Sequence, residues 1–242
     1  MTSPPPLITL AIETSNPSTC DSEVAVGRRN HSGAGELLSC QTLTPTNRHD
    51  DALAPAIDRA VRQAGLTPGD LDRIAVSVGP GGFTSLRIAV ASAKGIALAT
   101  GARCVAVPTA LIAASRAFEQ DDALGCVAVA LASKRDSAWI AVIDRTSDLE
   151  TQSAAAGEAM DLAGLAQVID SHRVDTVIAD EHLPTPMHEW LGKQAIAMAP
   201  PALGAAQCLD LSWELPERAS VELAPIYPRP PEAVRKWREL HG

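Results

Sequence analysis

The apolar pattern of the first hundred residues changes period several times, and each change marks an element. A near-continuous apolar run from Leu7 to Ile12 predicts a buried strand ending at Glu13. Val24 and Val26 alternate with polar or small neighbours and predict a second strand, and residues 36–42 predict a third. The short connections between the three imply an antiparallel meander. Helical spacing then takes over: Leu53, Ile57, Val61 and Ala64 share one face, and Gly65 follows as a stop. Pro55 suits that helix only in its first turn, with Asp50 or Asp51 as cap. Thr67 and Asp70 frame a capping-box turn. Residues 74–78 predict a fourth strand, 85–100 a helix closed by Gly101, and 103–107 a fifth strand.

Strand-strand-strand-helix-strand-helix-strand is the order of one half of a ribonuclease-H-like or actin-like α/β fold. Pro108 marks the boundary, so a first lobe is expected over 1–107. A second, shortened copy is expected over 108–228. It comprises a helix at 110–118, a strand pair at 125–131 and 138–143, a helix at 160–169 and a strand at 174–179. The Pro-rich stretch 184–228 predicts no clear element. Residues 232–240 predict a last helix within a C-terminal unit, 229–242.

Composition narrows the function. Only 3% of the residues are aromatic, so the core must be built from Ala, Val, Leu and Ile, and stacking on single-stranded bases is disfavoured as the main activity. The net charge of −9 argues against an unaided grip on nucleic acid. The basic cluster Arg229, Arg235, Lys236 and Arg238 reads as an exposed helix face. Cys20, Cys40, Cys104, Cys126 and Cys208 form no C-x-x-C pair, which suits reduced cytoplasmic thiols better than disulfides or zinc. The histidines, His31, His49, His172, His182, His188 and His241, form no metal-binding motif. No apolar run is long enough to cross a bilayer and no signal-peptide pattern opens the chain, so a soluble cytoplasmic protein is expected, with no membrane contact.

The run Gly79-Pro80-Gly81-Gly82-Phe83-Thr84-Ser85-Leu86-Arg87 lies between a strand and a helix, where backbone N–H groups can hold an anion. It matches neither G-x-x-x-x-G-K-[ST] nor G-x-G-x-x-G. Actin-like phosphotransferases place an Asp at the end of the first strand and a glycine turn after it. Glu13-Thr14-Ser15 stands here instead, without glycine. The corresponding positions of the second half, Leu131-Ala132-Ser133-Lys134-Arg135 and Ala179-Asp180-Glu181-His182, lack the glycine turns such a site needs. Glu13, Thr14, Ser15, Gly79, Gly81 and Gly82 therefore read as a degenerate nucleotide loop, with no catalytic residue, metal ligand or cofactor assigned to this chain. Ser15, Ser77 and Ser85 have no sequence-evident base, yet a peptidase and an autonomous ATPase stay open as alternatives.

The helix after the loop is apolar on two faces. Ala89, Val90, Ala93, Ile96 and Ala97 suit a sheet. Ile88, Ser92, Gly95 and Ala99 form a second, small-residue face that permits close helix packing. With Leu53 and Ile57 of the preceding helix, they are the candidate partner interface; the alternative is that the two helices cover each other within the chain.

The stretches Leu10-Ala11-Ile12-Glu13-Thr14-Ser15, Ala64-Gly65-Leu66, Asp70-Leu71-Asp72, Val78 to Arg87, Lys94-Gly95-Ile96-Ala97 and Val105-Ala106-Val107-Pro108-Thr109 resemble the TsaB (YeaZ) family. Pro225-Ile226-Tyr227-Pro228-Arg229 resembles its C-terminal segment more weakly. The resemblance covers about the first half of the chain. It implies an actin-like, non-catalytic subunit of the machinery that forms N6-threonylcarbamoyladenosine at position 37 of tRNAs reading codons that start with A. It further implies pairing with TsaD through first-lobe helices, a third component TsaE, homodimers of the isolated chain, and tRNA contact only through the complex. ATP and metal would belong to TsaD and TsaE. Where the family has Asp in the first strand's motif and Asp-Ala-Arg in the second half, this chain has Glu13 and Ser133-Lys134-Arg135.

Overall fold

The computed structural model describes residues 6–15, 20–30, 32–43, 50–149, 157–228 and Trp237. The strands are β1 (Leu7–Glu13), β2 (Glu23–Arg29), β3 (Gly35–Thr42), β4 (Arg73–Gly79), β5 (Arg103–Pro108), β6 (Cys126–Lys134), β7 (Ser137–Asp144), β8 (Glu158–Met160), β9 (Thr176–Ala179), β10 (Ala197–Ala199) and β11 (Glu217–Arg218). The helices are α1 (Asp50–Gln63), α2 (Phe83–Thr100), α3 (Thr109–Gln120), α4 (Leu162–His172), α5 (Thr185–Lys193) and α6 (Ala205–Ser212).

Two mixed sheets form, in the orders β11-β5-β4-β1-β2-β3 and β10-β9-β6-β7-β8. Without β11 the two orders are the same: fifth, fourth, first, second and third strand of each lobe. The pairing sense also repeats, antiparallel among the first three strands and parallel across the other two. The α/β, actin-like, two-lobe fold expected from the element order is the one observed.

Strand periodicity explains the layers. Ile8, Leu10 and Ile12 alternate onto one face of the first sheet and pack with Leu53, Ala56 and Ala60 of α1 and Ala89, Ala93 and Ala97 of α2. The other face is made of small residues. Ala75, Ala11 and Ala25 are neighbours in register across β4, β1 and β2, and they join α3, α6 and the second sheet in one core. The outer face of the second sheet holds Leu165 and Ile169 of α4 and Met187 and Leu191 of α5. Helix pair, sheet, helix pair, sheet, helix pair is the resulting stack.

Helix α6 follows the last strand of the second lobe, yet lies on the first sheet. Small residues let it approach: a Cβ on Gly27 would stand 2.5 Å from Leu209 Cδ2, and one on Gly35 would stand 1.7 Å from the Trp213 ring. Gly35→Ala is therefore expected to push Trp213 off β3 and to cost about 1–3 kcal/mol by overpacking. A urea midpoint and tryptophan emission spectrum unchanged from wild type would show that the ring swings away freely.

Several boundaries differ from the periodicity. Met160 ends β8 rather than starting a helix; Asp161 caps α4 through its bond from the Gly164 N–H at 3.0 Å. Helix α2 begins at Phe83, two residues before the expected Ser85. Pro55 is not in the first turn of α1 but inside the helix. The elements β8, α5, β10, α6 and β11 have no counterpart in the sequence reading. The helix expected at 232–240, the basic cluster from Arg229, His31, His49, His241 and the capping side chains of Asp50 and Asp51 lie outside the described residues.

Candidate functional site

Strands β1 and β4 are parallel neighbours, so Glu13-Thr14-Ser15 and the glycine run leave the sheet at the same edge. Gly79 has φ +98°, a backbone state that favours glycine, and a Cβ there would meet Leu86 Cδ1 at 2.7 Å. Gly81 approaches the chain itself: its Cβ would lie 2.2 Å from the Ser15 carbonyl oxygen. The Gly82 N–H donates to that oxygen at 2.9 Å. The Thr14 N–H donates to Ser77 Oγ at 3.4 Å, and the Thr14 hydroxyl to the Ser85 carbonyl at 3.3 Å. On the opposite side, the Ile226 N–H donates to the Val78 carbonyl at 2.7 Å. The six loop residues named by the sequence thus come together, and their close approach is to one another.

Glu13 is 1% exposed. Its Oε1 accepts the Ser15 N–H at 2.7 Å and also the Ser15 hydroxyl. Its Oε2 is buried without a hydrogen-bond partner among the described residues. Burial pushes the carboxyl up to about 7; the two Ser15 donors and the nearby Ser77 hydroxyl oppose that shift, and the like charge of Glu23 adds to it. Sequence alone marked Glu13 as a departure from an Asp, not as a buried acid. The signal was its place at the end of the near-continuous apolar run from Leu7 to Ile12.

This arrangement does not fit the phosphates and metal ion of an actin-like kinase. The carboxylate is closed off from solvent and bonded to its own turn, and the Gly82 N–H is already paired. Ser15 and Ser77 are both fully buried, which keeps either from acting as an open nucleophile in this conformation, and Ser85 is partly buried.

Helix α2 exposes only part of its second face, together with the neighbouring stripe that carries Ala91 and Leu98. Ala91, Gly95, Leu98 and Ala99 are exposed, with Leu98 at 77%, and no heavy atom lies within 4 Å of a Cβ built on Gly95. Ile88 and Ser92 are partly buried, as is Ile57 on α1. Leu53 does not belong with this group. It is 3% exposed and packs under α1 with the first-sheet core, so its helical spacing marked the inner face of α1. At the start of α2, Phe83 and Tyr227 meet as a tilted ring pair with centroids 5.5 Å apart and 47° between planes, and the Arg87 guanidinium sits 4.6 Å over the Phe83 ring. One of the chain's two phenylalanines and its single tyrosine thus meet at the surface, joined by residues 144 apart in sequence, a contact no local pattern foretells.

Residues 37–223 match the family model described as TsaD: tRNA N6-adenosine threonylcarbamoyltransferase. The chain belongs to this family. Similar curated proteins carry the description tRNA N6-adenosine threonylcarbamoyltransferase. The one from Ruegeria sp. (strain TM1040) is 38% identical over 106 residues, 37% of this chain and 29% of that protein. The one from Protochlamydia amoebophila (strain UWE25) is 35% identical over 106 residues, 43% of this chain and 29% of that protein. The matched region is under a third of the length of these relatives. Among solved structures, YeaZ from Pseudomonas aeruginosa aligns with 91% of this chain and 99% of its own, at TM-score 0.65 and 20% identity. A second Pseudomonas aeruginosa structure, described as uncharacterized with similarity to peptidase YEAZ, aligns with 92% of this chain and 100% of its own, at TM-score 0.66 and 20% identity. These likenesses establish the fold.

Proposed function

We propose that this TsaD-family chain is the non-catalytic, TsaB-type partner subunit in the synthesis of N6-threonylcarbamoyladenosine on tRNA. It acts by pairing with a TsaD-type catalytic relative; TsaE joins them, and ATP and metal are held by those two proteins. The observation that carries this reading is the outward face of α2. A helix with Gly95 open, Leu98 77% exposed and Ile88 half covered is a platform for a second helix. The loop that starts the helix supports it, because Gly81 and Gly82 are engaged by Ser15 where a kinase would hold phosphate. The same face would pair two copies of the isolated chain when TsaD is absent. The proposed interface is Ile57, Ile88, Ser92, Gly95 and Ala99, with Leu98 added and Leu53 removed.

The test is co-expression with the TsaD of the same organism. Gly95→Leu and Leu98→Asp are expected to weaken pairing at least about tenfold, with the isolated chain still folded, because each change lies in open space. The modified base should fall in parallel. Unchanged co-purification of both variants would sink the proposal. Tight binding of Mg-ATP to the isolated chain by calorimetry would favour an autonomous ATPase. Cleavage of pure TsaD that is lost in Ser15→Ala, Ser77→Ala or Ser85→Ala would favour a peptidase.

A further inference from the structure

Glu13 lies at the junction of three parts of the fold. Its strand ends there, the glycine loop closes over Ser15 two residues later, and α6 crosses the same face of the sheet. The groups that face its carboxyl come from each neighbour. On its own turn they are the Ser15 N–H and hydroxyl. On β4 it is the Ser77 hydroxyl. On β2 it is Glu23, directly opposite in register, and on α6 it is the buried thiol of Cys208. Residues 79–82 of the glycine loop contribute no titratable side chain. Among the described residues no cation is in this group, and Oε2 has no hydrogen-bond partner.

We propose that the proton on Glu13 is a latch: bound, it holds the end of β1, the glycine loop and α6 together, and its loss opens that junction. A charged Glu13 would be buried with one oxygen unbonded, which is costly. It would also stand opposite Glu23, and like charges on paired strand positions repel. Glu23 cannot yield freely, because its Oε2 accepts the Ala205 N–H at the start of α6 at 3.1 Å. The least costly relief is therefore to lift α6 and the Ser15 turn and let water reach the carboxylate. The carboxyl, pushed up to about 7 by burial, sets this opening near neutral pH. Because the glycine loop starts α2, the opening reaches that helix as well.

Cys208 is the reporter, since it is buried against the same junction and its own pKa is pushed up by burial and by Glu13. The intact chain is treated with iodoacetamide at several pH values, and labelling of each cysteine is read by peptide mass spectrometry. Cys126, buried in the second sheet, is the internal control for thiolate formation. The ratio of Cys208 to Cys126 labelling is expected to rise about tenfold from about pH 6 to about pH 8.5, and to stay constant in Glu13→Gln. A ratio that is flat in the wild type, or that rises equally in the variant, overturns the latch. Should the variant fold poorly, carbon-13 NMR of the wild-type carboxyl decides the matter: a Glu13 midpoint below about pH 5.5 overturns it.

Discussion

Gly81→Ala is expected to cost about 3 kcal/mol of folding stability, near the upper end of overpacking penalties. The added Cβ would stand 2.2 Å from the Ser15 carbonyl oxygen and 2.9 Å from the Ser15 carbonyl carbon. Both atoms are backbone, so no rotamer change relieves the clash. Either the Ser15 turn moves and the Gly82 hydrogen bond at 2.9 Å is lost, or the loop shifts and drags the start of α2 with it. Gly95→Ala is the control. Nothing lies within 4 Å of its Cβ, and Ala is favoured over Gly inside a helix by about 1 kcal/mol. Both substitutions restrict the unfolded chain equally, so that contribution cancels between them. Urea unfolding should show opposite signs, destabilising at 81 and stabilising at 95. Equal effects would mean that the loop gives way, and that Gly81 is not there to meet Ser15.

The contrast between these glycines shows what one-dimensional pattern can carry. Strand and helix periods made β1 to β5, α1 and α2 legible, because each is long and buries one continuous face. The second lobe was legible in α3, its β6–β7 pair, α4 and β9. The remaining pieces were not. β8 and β10 are three residues each and β11 is two, too short for a period to develop. α6 is short as well, and its place on the first sheet depends on Gly27 and Gly35 more than 170 residues earlier. At the candidate site, spacing on α2 grouped Ile88, Ser92, Gly95 and Ala99; Gly95 and Ala99 are exposed, whereas Ile88 and Ser92 are half-buried. Spacing on α1 brought Leu53 into the same set, because a helix with a single apolar stripe gives no sign of whether sheet or partner covers it. The meaning of Glu13 depended on its surroundings, which only the fold supplies.

Raising the pH through neutrality should destabilise the wild type, and Glu13→Gln should remove that loss. The folded-state carboxyl sits at about 7, against an ordinary value of 4.5. Between those values the folded chain keeps a proton that the unfolded chain has lost. Folding stability must therefore fall as pH rises, with the full contribution present below the unfolded value and gone above the folded one. A gap of that size corresponds to about 3 kcal/mol. The carboxyls of Asp70, Asp144 and Asp175 run the other way. Hydrogen bonds to the Thr67 hydroxyl, the Thr146 hydroxyl and the Cys126 N–H respectively hold them low, so their contributions disappear only in acid. Cys208 is displaced well above the thiol range, out of the neutral window. Burial and the nearby Glu119 raise Asp210 in the same direction as Glu13, so it is the comparison with Glu13→Gln across about pH 5 to about pH 8 that isolates Glu13. Gln keeps an oxygen to accept the two Ser15 donors but has no proton to lose, so the stability gap between variant and wild type should open by about 2.5 kcal/mol across that interval. Parallel urea midpoints for the two proteins from pH 5 to pH 8 would mean that Glu13 already reaches water in the native state.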